Sequence, residues 1–381
     1  MDGPPRVRVR LGGGPREQAT LGTGGPWRLF ADGRLVNESS RPLEPTDLGR
    51  TPGGWTLGPA SLSGEALVLE TVGDSHVLVN GKPYRGSLRL LPAGGGRFHL
   101  VNVLDMERYL AGVLSRELYP NWHRETYRAQ AVAARTFALF HLLTRPSAAG
   151  WDLGDNQASQ CYGGVEGETP RSRWAVEATR GRVMTVGPNA DRIFMAQYSA
   201  CCGGRSVPAE AIRSAPDLAP LAGGRVCEDC SACPRYAWGP VRVSKAAVYR
   251  SLLAAYPSAA ASLGGVREVR VKTRSEHGRA IWVEIIGANR RPREGYELMV
   301  LRAEDLRLAL LFHGPASATL NSMNCDIRDA GRDVVFENGR GWGHGVGLCQ
   351  WGAEGKARRG WSAERIIDFY YPGATVVRVY E

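Results

Sequence analysis

Between about Arg124 and Leu143 the chain reads as a helix with an unusually small-sided middle. Ala129, Ala131, Val132, Ala133, Ala134 and Ala138 present little beyond a methyl group or a short branch. Such a helix would let another element approach closely. A partner precedes it. Asp105 is placed to cap a helix running to about Leu114, with Tyr109, Leu110, Val113 and Leu114 on one face. Tyr119-Pro120-Asn121 breaks the chain between the two.

Upstream the texture is different. Val7-Arg8-Val9-Arg10-Leu11, Ala66-Leu67-Val68-Leu69 and His76-Val77-Leu78-Val79 alternate or run apolar between Gly, Pro and Asn-Gly turns. Asn80-Gly81 marks a hairpin. Downstream, a strand is expected around Ile193 to Tyr198, a helix near Lys245 to Ala254, and strands near Val266 to Val271 and Ile281 to Ile286. A last helix, over Ala363 to Tyr370, is capped by Ser362 and ended by Pro372-Gly373. The fold class is therefore α+β: a β-rich module over residues 1–95, packed on a mixed core over 96–381.

Charge and hydropathy narrow the function. No run approaches ~18 apolar residues, so no transmembrane helix is expected. Met1 to Gly14 lacks the apolar core of a signal peptide. The net charge is +10, yet only four of the 48 basic residues are lysines (Lys82, Lys245, Lys272, Lys356), leaving 44 arginines scattered singly. That skew matches GC-rich codon usage, and no nucleic-acid fold motif accompanies it. A solvated basic surface, suited to anionic polymers, is the reading; nucleic acid is not an expected partner.

Three constellations carry possible chemistry. Glu117 lies at the corner after the first helix among apolar neighbours, where desolvation would favour the protonated form that a general acid needs. An exposed carboxylate, or one paired with Arg116 or Arg135, is the alternative. In Gly339 to Ala353, glycine alternates with functional side chains and runs into a helix starting near Cys349. Backbone can approach a ligand there, and Trp342 and Trp351 suit sugar faces. Cys349 with His344 would make a thiolate–imidazole pair, although such pairs usually come from distant parts of a chain.

The third constellation is cysteine. Cys227-x-x-Cys230-x-x-Cys233 can chelate a metal, with Cys202 as fourth ligand and Cys201 or Cys349 as alternatives. Zinc held by four sulfurs is the first option. Iron–sulfur ligation and disulfides stay open.

Read together, these segments resemble the SpoIID/LytB family, that of stage II sporulation protein D and the amidase enhancer LytB. Five ordered matches carry the resemblance. They are Glu117 with Ala129-Gln130-Ala131-Val132-Ala133-Ala134-Arg135-Thr136-Phe137-Ala138; Gln160-Cys161-Tyr162-Gly163-Gly164; Ala175-Val176-x-x-Thr179-x-Gly181; Tyr198 to Arg205, ending in Gly-Gly-Arg; and Gly339 to Ala353 with Tyr370-Tyr371-Pro372-Gly373. The resemblance implies an extracytoplasmic lytic transglycosylase acting on peptidoglycan glycan strands, often denuded ones, with Glu117 as its one catalytic carboxyl. It further implies that Gln130, Arg135, Tyr162, Tyr198, Gly203, Gly204, His344 and Gln350 line or shape a glycan groove. The reaction would join the muramyl C6 hydroxyl to C1 as a 1,6-anhydro product and needs no cofactor. The other branch of the family implies a non-catalytic, glycan-binding activator of a cell-wall amidase. Two departures stand out. The family usually has a small hydroxyl residue where Cys349 stands, and the Cys227 to Cys233 run is not a general family feature. Zinc binding described for some members near the segment of Cys161 does not carry over, because the neighbouring ligands are missing here.

Overall fold

The computed structural model describes residues 3–212, 218–291 and 295–381, and its fold is α+β. Two compact units divide the chain, Met1–Met195 with Thr375–Glu381, and Ala196–Ala374. No described helix is long and apolar enough to cross a membrane.

In the first unit a small sheet joins Arg192–Ile193, Arg182–Val186 and Thr375–Arg378, and two large, largely antiparallel sheets make up most of the β part. One holds, in spatial order, Leu153–Gly154, Arg6–Arg16, Arg97–Asp105, Ser87–Gly94, Leu67–Thr71, Trp27–Ala31 and Arg34–Ser39. The other holds Lys82–Arg85, His76–Val79, Gln18–Thr23, Thr46–Thr51, Gly54–Leu57 and Ala60–Leu62. Alternation decides which faces are buried: Val7, Val9 and Leu11 are enclosed, as are Ala19, Leu21, Leu48 and Trp55. The Trp55 and Phe98 rings meet edge to face, 5.4 Å apart, between the two sheets. Asn80 (φ 49°) and Gly81 (φ 79°) form the expected two-residue turn, since Val79 pairs with Lys82.

The expected boundary at residue 95 is not where the chain divides. Gly95 and Gly96 lie in the turn of a hairpin, Gly94 pairing with Arg97, and the second strand of that hairpin continues to Asp105. That strand also pairs with Arg6 to Leu11, so the amino-terminal module is continuous with the helices that follow.

Helix α1 (Met106–Glu117) starts at Asp105, whose carboxylate accepts from the Arg108 N–H at 2.9 Å. Helix α2 (Arg124–Thr144) is the small-sided one, and Ala129, Ala131, Ala133, Ala134 and Ala138 are all fully buried. Helix α3 (Pro170–Ala178) opens on a capping box between Thr169 and Ser172.

The small side chains of α2 make room for a charge. Arg135 is completely buried; its Nη2 donates to Glu107 of α1 at 2.6 Å and its Nε does so at 3.0 Å. The remaining guanidinium donors reach Thr179 Oγ1 (3.3 Å) and the carbonyls of Arg182 (3.1 Å) and Val176 (3.2 Å). Glu107 also accepts from the Gly181 N–H at 3.2 Å and the Tyr380 hydroxyl at 2.7 Å. Arg135 is therefore a structural hub and has no donor left for a glycan, which corrects the groove position expected for it.

In the second unit, α4 (Lys245–Ala255) and α6 (Ala303–His313) cover a sheet of Val266–Arg274, Ala280–Arg291 and Gly295–Arg302, with α5 (Pro257–Ala261) beside α4. Val248, Leu252, Leu306, Leu310, Val283 and Ile285 fill the space between. The rest of this unit holds a small sheet of Val241–Ser244, Asp333–Glu337 and Asp326–Ala330, glycine-rich loops with short strand pairs, a cysteine-rich turn, α7 (Gln350–Arg358) and α8 (Ala363–Tyr370). The single strand expected from Ile193 to Tyr198 is two short ones: Arg192–Ile193 pairs with Thr185 and Val186, whereas Tyr198–Ser199 pairs in parallel with Leu348–Cys349. They fall in different units, which is why no continuous strand joins them.

Removing one member of a buried ion pair strands the other. Arg135→Met should lower the unfolding free energy by about 3–5 kcal/mol in a urea titration. Glu107→Gln combined with Arg135→Met should restore part of that loss, because a neutral amide still accepts from Gly181 and Tyr380. Equal losses in the single and double variants would contradict the pairing.

Candidate functional site

Glu117 ends α1 and is half-buried, with the buried Leu118 next to it. Its Oε1 accepts the Cys161 backbone N–H at 2.9 Å, so the Gln160 to Gly164 segment fixes the carboxylate. That segment is anchored in turn. The Tyr109 hydroxyl donates to Gln160 Oε1 at 3.0 Å, and Gln160 Nε2 donates to the Ala134 carbonyl of α2 at 3.3 Å. Burial and then the adjoining Glu117 carboxylate push the Cys161 thiol up to about 12. Glu166, beside this corner, pairs with Arg116 at 3.7 Å.

Tyr162, expected in the groove, instead packs inward. Its ring lies 5.1 Å from Tyr109 and 6.0 Å from Tyr84, and its hydroxyl donates to Asn102 at 2.9 Å. Gly112 of α1 is what admits it, since a Cβ there would stand 2.7 Å from the Tyr162 ring. Gln130 is likewise wholly enclosed, and neither end of its amide has a hydrogen-bond partner among the described residues. Neither residue presents a surface to a glycan.

In the second unit, Tyr198 and Ser199 lie against Leu348 and Cys349, and Ser199 Oγ accepts the Gly345 N–H at 3.1 Å. Cys201 and Trp342 exchange backbone hydrogen bonds of 2.9 and 2.8 Å. Gly203 and Gly204 have φ of 78° and 105°, and a Cβ on them would stand 2.9 Å from the Arg340 backbone and 3.0 Å from the Tyr236 hydroxyl. Both line a cavity of about 410 Å³ with Arg205, Arg274, Arg279 and Arg340. Asp326, also in its wall, is paired with Arg274 at 3.1 Å. This cavity is basic and suits a carboxylate or another anion. His344 is half-buried and its Nδ1 accepts the Val346 N–H at 3.1 Å. Gln350 is buried at the start of α7. Trp342 carries the Arg235 guanidinium over its ring at 4.1 Å, so that aromatic face is already covered.

The cysteines gather around the start of α7. Cys202, Cys227, Cys230 and Cys349 are buried, and their sulfurs all lie within 4.8 Å of one another. Cys233, expected in this set, is absent from it: it lies past the 3-10 turn Glu228–Ala232, and its sulfur accepts the Arg235 N–H at 3.4 Å. Cys349 takes its place. As the N-cap of α7 it accepts the Gly352 N–H at 3.4 Å and the Cys202 N–H at 3.3 Å. Burial and the surrounding thiols push Cys349 well up, while the thiols of Cys201, Cys202 and Cys227 hold Cys230 down. A fully enclosed Cys349, packed among three other thiols at the start of α7, does not fit a nucleophile paired with His344.

Comparison with known proteins identifies the family. The stage II sporulation protein (SpoIID) family model matches residues 94–186. An uncharacterized protein of Brachyspira hyodysenteriae is 30% identical over 317 residues, 82% of this chain and 77% of that one. Stage II sporulation protein D of Bacillus subtilis is 24% identical over 291 residues, 72% of this chain and 75% of its own length. The amidase enhancer of the same organism is 24% identical over 299 residues, 70% of this chain but 40% of that longer protein. The chain belongs to the SpoIID/LytB family.

Two measurements check the Glu117 corner. Because alkylation requires thiolate, Cys161 should react with iodoacetamide at pH 8 roughly 10³-fold more slowly than an exposed thiol. The rate should rise with pH towards 12, and Glu117→Gln, which removes a negative neighbour, should speed it; peptide mapping reads this site alone. An unchanged rate would contradict the contact. Separately, Gln130→Met removes a buried amide without partners at similar volume, and should raise unfolding stability by about 1 kcal/mol in urea.

Proposed function

We propose that this chain cleaves peptidoglycan glycan strands as a lytic transglycosylase, with Glu117 as its single acid and base. The observation that carries the reading is the placement of Glu117: half-buried at a helix end, held through one oxygen by the Cys161 N–H, within the matched family segment. Protonated Glu117 gives its proton to the oxygen joining N-acetylmuramic acid to N-acetylglucosamine, and the muramyl C1–O bond breaks. The Glu117 carboxylate then takes the proton of the muramyl C6 hydroxyl as that oxygen closes on C1. The carboxyl is restored, no water is consumed, and no cofactor is needed. One carboxyl suffices because the nucleophile belongs to the substrate, unlike the paired carboxyls of most glycosidases. The basic cavity beside Gly203 and Gly204 supports an anionic glycan as ligand, and such a substrate places the protein outside the cytoplasm.

A second reading, a glycan-binding activator of a cell-wall amidase, is favoured by the match to the amidase enhancer. Digestion of denuded glycan strands, with products weighed, separates the two. Fragments lighter by one water than hydrolysed ends are expected, and Glu117→Gln should lower turnover by roughly 10²–10⁴-fold. Hydrolysed ends, or full cleavage by Glu117→Gln, would overturn the transglycosylase. Amidase stimulation that survives Glu117→Gln, without cleavage by the unaltered protein, would establish the activator.

A further inference from the structure

We infer that Cys202, Cys227, Cys230 and Cys349 bind one zinc ion in a closed four-sulfur site, which fastens the start of α7 to the Cys227 turn and to the Cys201–Gly204 segment.

Geometry points to a single ion. With metal–sulfur bonds of about 2.3 Å, four sulfurs at tetrahedral corners stand roughly 3.8 Å apart. Cys202 and Cys230 are 3.7 Å apart, and all four sulfurs lie within 4.8 Å of one another. A four-iron cluster puts each thiolate on a different iron and spreads the sulfurs further. Four buried thiols crowded at one point, with no disulfide between them, have few other uses.

The surroundings are shaped for this cluster. Gly352 and Gly355, one turn apart on α7, meet the cysteine turn directly: a Cβ at Gly352 would lie 2.3 Å from Cys227 Sγ, and one at Gly355 would lie 2.6 Å from the Asp229 carbonyl. Asp229, between two of the cysteines, is clamped to α7 by Lys356 (2.8 Å) and Arg359 (2.6 Å). The sulfurs have hydrogen-bonding neighbours of the kind that stabilise thiolates: Cys349 accepts two backbone N–H groups, and the Tyr370 hydroxyl lies 3.0 Å from Cys227. Four thiolates around Zn²⁺ leave two negative charges. The amino terminus of α7 and the buried Arg279, whose Nη2 reaches the Cys202 carbonyl at 3.5 Å, oppose them. On binding, four S–H protons pass to solvent and four Zn–S bonds form, with no change of oxidation state. Every tetrahedral position is then occupied, so the ion's role is to hold the structure together.

Elemental analysis of the whole purified protein tests this. About one zinc per chain is expected, and replacement by Co²⁺ should give intense near-ultraviolet thiolate-to-cobalt absorption with tetrahedral visible bands. Chelation should lower Tm and expose the four thiols to alkylation in peptide maps. Cys233→Ser and Cys325→Ser should keep the metal, whereas Cys349→Ser should lose it or hold it much more weakly. Should Cys349→Ser fail to fold, the metal content and thiol protection of the unaltered chain and of Cys233→Ser still decide the matter. Bound iron with visible colour, disulfides among the four residues, or free alkylation of all four in the untreated protein would overturn the site.

Discussion

A charge buried where no water can reach it organises the first unit. The Arg135 guanidinium, fully enclosed in α2, is tolerable only because Glu107 neutralises it and every remaining donor has an acceptor. Those acceptors come from α3 and the strand after it, while Glu107 takes further donors from Gly181 and Tyr380. Segments far apart in the chain are thereby committed to one arrangement. Small residues along α2 are the other half of the same constraint, since a larger side chain at Ala131 or Ala138 would compete for the room that this packing uses.

The consequence for chemistry is positional. Glu117 sits at the far end of the helix that carries Glu107, and its partner Cys161 follows Gln160, which is bonded to the backbone of α2. In the proposed reaction, a carboxyl that both gives and takes a proton benefits from supports locked by packing in this way. Gly112 and Gly181 serve the same packing, as each occupies a point where a Cβ would strike a neighbouring ring or carbonyl.

In the second unit the comparable constraint is the close approach of α7 to the cysteine turn. Cys349 caps α7 through its sulfur, as a hydroxyl residue would cap it through oxygen, and so meets a local requirement of the helix while joining the thiol cluster. Cys227 precedes a short 3-10 turn, Glu228–Ala232, that carries Cys230 within it, and Cys233 follows the turn. Regular spacing in the chain therefore contributes two of the four sulfurs, and tertiary packing contributes the other two.

Much could be read along the chain, because the deciding physics was local. The caps at Asp105 and Ser362, the Asn80-Gly81 turn, the small-sided helix and the α+β class all follow from residues within a few positions of one another. The helix Ala303–His313 and the hairpin Asp326–Ala330 with Asp333–Glu337 were less legible, being short elements whose apolar residues make sense only against a sheet formed elsewhere. Arg135 and Tyr162 looked like groove residues because motifs record which residues matter and not which way they face. Their burial depends on Glu107 and Asn102, 28 and 60 positions away. What the sequence determined by itself was the set of elements and the ordered motifs of the family. Which side chains turn inward as supports, and which cysteines meet, was decided only in the tertiary structure, because ion pairing, ring packing and sulfur clustering join residues whose separation along the chain carries no periodic signal.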